Sequence, residues 1–272
     1  MRRGKLILLG LALWGGRLQA EQLKPATVNA FDHYVELSEQ RMASELHSGR
    51  FLRVDDLPPA LRNQDYAQLK KGDVVMERLE TLDQGRALSI PGGLVHHWVG
   101  TAFIPGTTLG RTLAFLQDYD DQYKFYAPEV EQSKLLERDG NHFRIFLRLR
   151  KTKVVTVILN TEYDVRYVAI APDRAASYAH SRRIAEVENP GRANESEKPV
   201  GNDSGFLWRL NSYWRFDGRD GGVYVQLEAI SLTRDIPRGL AWLIGPFVTS
   251  IPKESLEFTL TRTREGLVSK GR

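Results

Sequence analysis

The chain has 272 residues, a formal net charge of +4 and no cysteine. A chain of this length can bury a large core, and the absence of cysteine excludes a fold held together by disulfides. Its 38 basic and 34 acidic residues nearly balance, so the charge gives no indication of a nucleic-acid partner.

The first twenty residues have the pattern of a cleavable signal peptide. A basic head containing Arg2, Arg3 and Lys5 precedes an apolar run over 6–14, and Ala20 ends the segment with a small residue. The run is too short to span a bilayer. The sequence predicts cleavage after Ala20, export to the periplasm or beyond the cell, and no integral membrane segment afterwards. The segment holds four basic residues, so its removal leaves 34 residues of each sign.

Residues 21–90 are predicted to form a helical extension that packs on the main domain. Apolar residues recur at helical spacing over 26–48, with Thr27 as the N-terminal cap and Gly49 as the stop. A short strand is expected near 74–79. The segment has too few apolar residues for a core of its own, and its helix is a candidate docking site for a protein partner.

The segment 91–265 is predicted to be an α+β domain. A strand over 94–104 is followed by a helix that Thr107 or Thr108 opens. Further strands are expected over 133–137, 142–149, 153–160, 165–171, 182–187, 206–216 and 223–233, the last two joined by the hairpin turn "DGRDGG". This order favours a curved antiparallel sheet of about six to seven strands.

A long apolar helix is predicted after residue 237, with a tail over 266–272. Gly245-Pro246 and Pro252 interrupt its apolar stripe and would bend it around a concave surface. We therefore expect the helix to lie in the curl of the sheet, with a cavity between the two.

Two segments resemble the START/Bet v 1-like helix-grip superfamily, which includes lipid-transport and polyketide cyclase domains. They are "YAPEVEQSKLLERDG", with Pro128-Glu129-Val130, Ser133 and Asp139-Gly140 at the matching positions, and "SLTRDIPRGLAWLI" with the helix after it. The resemblance covers roughly 90–265. It implies a sheet wrapped around the last helix and a cavity for lipids, sterols, polyketides or hormones, with catalysis in a minority of members.

No motif in the sequence predicts a metal or cofactor. His96 and His97 are neighbours on a strand and point to opposite faces, so they cannot both bind one ion. The "GNDSGF" stretch resembles a nucleophile loop, but no base or oxyanion hole accompanies it, and its residues are typical of turns.

The strand "GFLWRLNSYWRF" separates an apolar stripe from a polar one. Phe206, Trp208, Leu210, Ser212, Trp214 and Phe216 alternate with Leu207, Arg209, Asn211, Tyr213 and Arg215, and Glu228 belongs to the polar stripe of the next strand. The favoured interpretation places the polar stripe in solvent, because two arginines are costly to bury. The alternative places it in the cavity, where it would bind a ligand headgroup.

The sequence thus predicts an exported protein that binds an apolar or amphipathic small molecule without a cofactor. The candidate ligand-binding residues are His96, Trp98, Phe103, Arg209, Asn211, Tyr213, Glu228, Trp242 and Phe247. One alternative is a cyclase or dehydratase that uses His96 or His97 with Glu228 or Tyr213 as acid and base. Another is a structural or interaction domain whose core is closed.

Overall fold

A computed structural model describes residues 21–47, 50–153, 155–235 and 241–269, without the side chains of Glu21, His47 and residues 241–249. The predicted leader therefore lies outside the described residues. The helices are α1 (Pro25–His47), α2 (Pro59–Lys71), α3 (Leu109–Gln117), α4 (Gln122–Tyr126) and α5 (Ala241–Ser269), and a 3-10 helix spans Arg53–Asp56. The strands are β1 (Glu21–Gln22), β2 (Val75–Arg78), β3 (Leu82–Asp83), β4 (Arg86–Ala87), β5 (Gly93–Pro105), β6 (Val130–Asp139), β7 (His142–Thr152), β8 (Thr156–Ala171), β9 (Arg174–Glu188), β10 (Ser196–Glu197), β11 (Asn202–Asp203), β12 (Arg209–Arg219) and β13 (Gly222–Arg234).

Nine strands form one antiparallel sheet that is not closed. Its order is β2-β5-β13-β12-β9-β8-β7-β6, with β10 added beside β9. The seven long strands agree with the number predicted from the sequence, and β2 and β10 extend the sheet with short pieces. The prediction of an α+β fold with an antiparallel sheet and a long C-terminal helix is confirmed.

The β12–β13 hairpin follows the turn chemistry of its sequence. Asp220 and Gly221 form the two-residue loop, with φ values of 57° and 74°. A loop with two positive φ values matches the twist of antiparallel strands, and Asp-Gly is a favoured pair for it. The predicted hairpin is confirmed, which fixes the register of two strands that carry four of the nine candidate residues.

Three predicted boundaries differ from the structure. The runs 153–160 and 165–171 belong to one strand, β8, and β9 begins at Arg174, eight residues before the predicted 182. The first half of β9 contains small residues and lacks an alternating apolar pattern. Hydrophobic periodicity therefore did not predict a strand there. Strand β12 begins at Arg209, and Trp208 therefore departs from the predicted alternation: it packs with Tyr213 and Ile230 on the opposite face.

Helix α5 covers one face of the sheet, which we call the front face. Leu256 and Leu260 pack there with Ala102 of β5 and Leu227 of β13. A Cβ atom on Gly100 would lie 2.7 Å from Leu260 and 2.8 Å from Leu256, so the glycine allows the helix to approach β5 closely. The helix is continuous from Ala241 to Ser269, and its prolines do not end it.

Helix α1 covers the opposite face, which we call the back face. Phe31 and Tyr34 pack with Tyr213 of β12 and with Ile230 of β13. Thr27 lies inside the helix and is not its cap, because its hydroxyl donates to the carbonyl of Pro91 at 2.6 Å. The 3-10 helix and α2 extend this cover over Phe103 and Tyr224.

Candidate functional site

A row of small side chains crosses the middle of the front face. Ala229 of β13 lies opposite Trp98 of β5 and opposite Ser212 of β12, and Ser212 lies opposite Ala179 of β9. Residues opposite one another in antiparallel strands point to the same face. Because three neighbouring strands each carry a small side chain here, the surface of the sheet is recessed at this row.

Solvent reaches this row although it lies in central strands whose back is covered. Trp98, Leu210, Ser212, Trp214 and Ala229 are each partly exposed, and we call these five residues the front-face patch. A side chain in the centre of a sheet between two covering layers is ordinarily excluded from water. The front-face patch is therefore only partly covered by the described side chains.

His96 is the histidine of the adjacent pair that belongs to the front face. It is buried, and its Nε2 lies 3.1 Å from the hydroxyl of Thr233. Burial, together with the nearby charge of Arg78, lowers the pKa of His96 to about 4. The imidazole is therefore neutral near pH 7 and can donate one hydrogen bond and accept another.

Two buried hydroxyl groups lie on the front face. They belong to Tyr163 of β8, which is 4% exposed, and Ser177 of β9, which is 1% exposed. Burial raises the pKa of Tyr163 to about 12, so its hydroxyl stays protonated.

The back face holds a buried polar layer centred on Glu228. Its carboxylate accepts from Arg41 of α1 and lies 2.6 Å from Nε2 of His97. The other ring nitrogen of His97 lies 2.9 Å from the hydroxyl of Tyr34. Burial alone would raise the pKa of Glu228, but the contacts with His97 and Arg41 outweigh it and lower the pKa. The carboxylate is thereby held charged beneath α1.

Two further contacts tie α1 to the same polar stripe. The hydroxyl of Tyr213 donates to Glu39 at 2.8 Å. Arg215 donates to Glu45 at 2.7 Å and to the carbonyl of Phe51 at 2.9 Å. Arg215 and Tyr213 are both buried. The polar residues of β12 and β13 thus form an interface with the N-terminal segment.

The polar stripe consequently faces neither solvent nor α5. Asn211, Tyr213 and Glu228 are 7%, 3% and 2% exposed, which makes the expectation of a solvent face wrong. The alternative of a headgroup site beneath the last helix also fails on position, because α1 occupies this face. The physical reason is pairing, because the buried Arg215 bonds to a carboxylate and a carbonyl of the N-terminal segment.

The remaining candidate residues are spread over three places. His96 and Trp98 lie on the front face, and Phe103 packs on the back face against Tyr224, with ring centroids 4.5 Å apart. Arg209, at the start of β12, is half-buried and donates to the carbonyl of Trp208 at 2.9 Å. The side chains of Trp242 and Phe247 lie outside the described residues.

Sequence reasoning missed four members of the front-face patch. Leu210, Ser212 and Trp214 were assigned to an apolar stripe without being chosen as site residues, and Ala229 was assigned to its partner stripe. The sequence did contain an indication of the patch, because each apolar stripe includes one small residue, Ser212 or Ala229. A small side chain among large apolar ones fills less of the core and indicates where space can remain.

The structure also has a surface groove of about 800 Å³ beside α1, lined by charged residues of β6 to β9 and by Glu39. Within the described ranges, no group of three or more His, Asp or Glu side chains could hold a metal ion. None of the helices that the structure describes is long and apolar enough to cross a membrane.

No family model matches the sequence, and no curated protein matches it either. Solved structures do resemble the chain. A STAR-related lipid transfer protein from Xanthomonas axonopodis is 17% identical and has a TM-score of 0.45, covering 71% of this chain and 98% of its own. The Zhui aromatase/cyclase from Streptomyces sp. R1128 is 11% identical with a TM-score of 0.41, covering 66% and 97%.

Human STARD10 is 9% identical with a TM-score of 0.40, covering 76% of this chain and 80% of its own. At these identities and TM-scores the likenesses by themselves assign no ligand or activity to this chain. The chain's own topology, an open antiparallel sheet packed against a long C-terminal helix, is a helix-grip fold.

Proposed function

We propose that this protein holds an apolar or amphipathic small molecule between the front face and α5. The observation that carries the proposal is the partial exposure of Ser212 and Ala229 in the centre of the sheet. Trp98, Leu210 and Trp214 surround them with apolar and aromatic surface. Apolar surface with a few polar groups, beneath a covering element, is the usual make-up of a small-molecule site.

The composition of the covering helix α5 also supports an apolar ligand. Its first nine residues, "AWLIGPFVT", contain no charged side chain. On the back face, α1 covers β12 and β13 with Phe31, Tyr34 and the polar layer, and the groove beside α1 is lined by charged residues. A ligand that requires apolar surroundings is therefore expected on the front face.

Native mass spectrometry of the protein, purified from an exporting host without detergent, tests the proposal. We expect a reproducible additional mass that is released on denaturation, and its identity would name the ligand class. A clean mass with no uptake from a mixed lipid extract would overturn the proposal. The alternative of a structural or interaction domain with a closed core would then be favoured.

His96 favours a second candidate, an acid–base enzyme acting in the same space. Its lowered pKa is the kind of perturbation that active sites use. The other proposed acid and base groups, His97, Glu228 and Tyr213, are buried beneath α1 and cannot assist it. Incubating the released ligand with the protein and with His96→Gln distinguishes the two. An enzyme changes the ligand's mass and the variant does not, whereas a binding protein leaves the mass unchanged in both cases.

The proposed location is outside the cytoplasm, and it rests on the N-terminal pattern alone. Arg2, Arg3 and the apolar run after them are the supporting residues. N-terminal sequencing of the protein recovered from the periplasm should begin at Glu21. Recovery of the uncleaved chain from the cytoplasm would contradict export.

A further inference from the structure

We propose that the front-face space selects an uncharged ligand, one whose polar group is a hydroxyl or a carbonyl and not an ionised carboxylate or phosphate. The inference rests on the proposed function, because it names the ligand class for the same site. Its basis is the separation of charge between the two faces of the sheet.

The described walls of the space are uncharged. The front-face patch offers two indole groups, one hydroxyl, one leucine and one alanine. The buried titratable groups beside it are also uncharged near pH 7. Burial lowers the pKa of His96 to about 4 and raises those of Tyr163 and Tyr167 to about 12.

Two buried charges of the central strands β12 and β13, Glu228 and Arg215, point to the back face and are already paired. Glu228 is bonded to Arg41 and His97, and Arg215 to Glu45. They cannot neutralise a ligand on the front face without dismantling the interface with α1. An ionised group that leaves water without an opposite charge loses its solvation and gains nothing in return.

Two described cations lie near the space, and both are exposed. Arg78 of β2 lies opposite Trp98 of β5, so it points to the same face. The ammonium of Lys253 on α5 is 5.9 Å from the centre of the Trp98 ring, and Lys253 is exposed. An exposed lysine is solvated and mobile, so it provides little compensation for a buried anion. Lys253 and Arg78 are the residues through which a charged ligand would have to bind if the inference were wrong, and an exposed arginine is solvated in the same way.

Ser212 is the hydroxyl that a neutral ligand would contact. It lies in the middle of the front-face patch and makes no side-chain hydrogen bond to the described part of the chain. A serine hydroxyl can donate to a carbonyl and can accept from an alcohol. It therefore serves both of the proposed polar groups and cannot neutralise a charge.

Three probes that differ only at the polar end test the selection: pyrene-labelled dodecanol, pyrene-labelled dodecanoic acid and the methyl ester of that acid. Affinities are measured by fluorescence at about pH 8, where the acid is ionised. We expect the alcohol and the ester to bind at least about tenfold more tightly than the acid, because burying an unpaired carboxylate is costly. Equal binding of acid and ester would overturn the inference and leave the proposed function standing.

Two variants identify where each probe binds. Ser212→Ala should lower the affinity for the alcohol probe by about three- to tenfold, which is the range for one lost hydrogen bond. Ser177→Ala removes a hydroxyl of the same face that the space does not reach, and it should leave the affinity unchanged. Acid binding that disappears in Lys253→Ala would also overturn the inference. Failure of all three probes to bind would contradict the proposed function itself.

Discussion

At the scale of single residues, the sheet separates groups that are adjacent in sequence. His96 and His97 point to opposite faces and meet different surroundings: a threonine and apolar core for one, Glu228 and Tyr34 for the other. Alternation along a strand is the cause, because successive side chains lie on opposite sides of the sheet. The same rule sends Ser212 to the front face and Tyr213 to the back.

Glu228 should be the residue on which the back face depends most. Replacing it with Gln leaves Arg41 and His97 without the buried carboxylate, and we expect a loss of about 3 kcal/mol in the free energy of unfolding. Urea denaturation measures this change. Glu254→Gln is the matched control, because its partner Lys153 is exposed, and it should lose less than about 1 kcal/mol. Equal losses would contradict the role given to Glu228.

His96 should make the protein less stable in mild acid. The pKa of His96 is about 4 in the folded protein, whereas an unperturbed histidine has a pKa of 6.5. As the pH falls, the unfolded chain therefore takes up the proton first. Stability is then lost between about pH 6.5 and pH 4, by up to about 3 kcal/mol. His96→Gln should flatten this part of the curve of unfolding free energy against pH. An unchanged slope would show that another group is responsible.

At the scale of elements, the two long helices are attached by different forces. Helix α5 packs through leucines on β5, where Gly100 allows a close approach. Helix α1 adds a charged layer to an apolar one, through Arg41, Glu39 and the residues they bond. Apolar contact is non-directional and tolerates sliding, whereas paired charges fix the position of a helix.

The contact between α5 and β5 predicts the effect of adding one methyl group. In Gly100→Ala the new Cβ would meet the side-chain ends of Met76, Leu256 and Leu260 at under 3 Å, and we expect a loss of about 1–3 kcal/mol. Thermal unfolding reports the change. Gly110→Ala is the control, because no atom lies within 4 Å of its added Cβ in α3, and it should gain up to about 1 kcal/mol. A tolerated Gly100→Ala would show that α5 can move away from β5.

At the scale of the whole molecule, the sheet is the central layer between two helical covers. The front cover is the C-terminal helix α5, and the back cover comes from the N-terminal α1, the 3-10 helix and α2. The N-terminal segment therefore completes the core on one side of the sheet. It also confines the expected ligand to the other side.

Removal of residues 21–47 should consequently prevent folding. Without α1, Glu228 and Arg215 lose their partners, and the surface that Phe31 and Tyr34 cover is exposed. We expect the shortened chain to lack a cooperative thermal transition in calorimetry. A shortened chain that unfolds cooperatively would identify α1 as a detachable cover, and the back face would then become available to a partner.

Local features of this protein follow from its amino-acid sequence. The period of two assigned most strands and separated the two stripes of β12, the Asp220-Gly221 pair specified the hairpin, and apolar spacing located α1. Each of these depends on interactions between residues close together in the chain. The exception is the first half of β9, whose alanines and serines carry no periodic signal and whose place depends on its neighbours in the sheet.

The tertiary structure alone decided which cover each face receives. Alternation defines two faces but does not reveal that the polar one is buried, since that depends on Arg41 approaching Glu228 across 187 residues of chain. The same holds for the front-face patch, which exists because small residues from three strands align in register. Burial and pairing are properties of segments that meet in space, and periodicity along one segment cannot specify them.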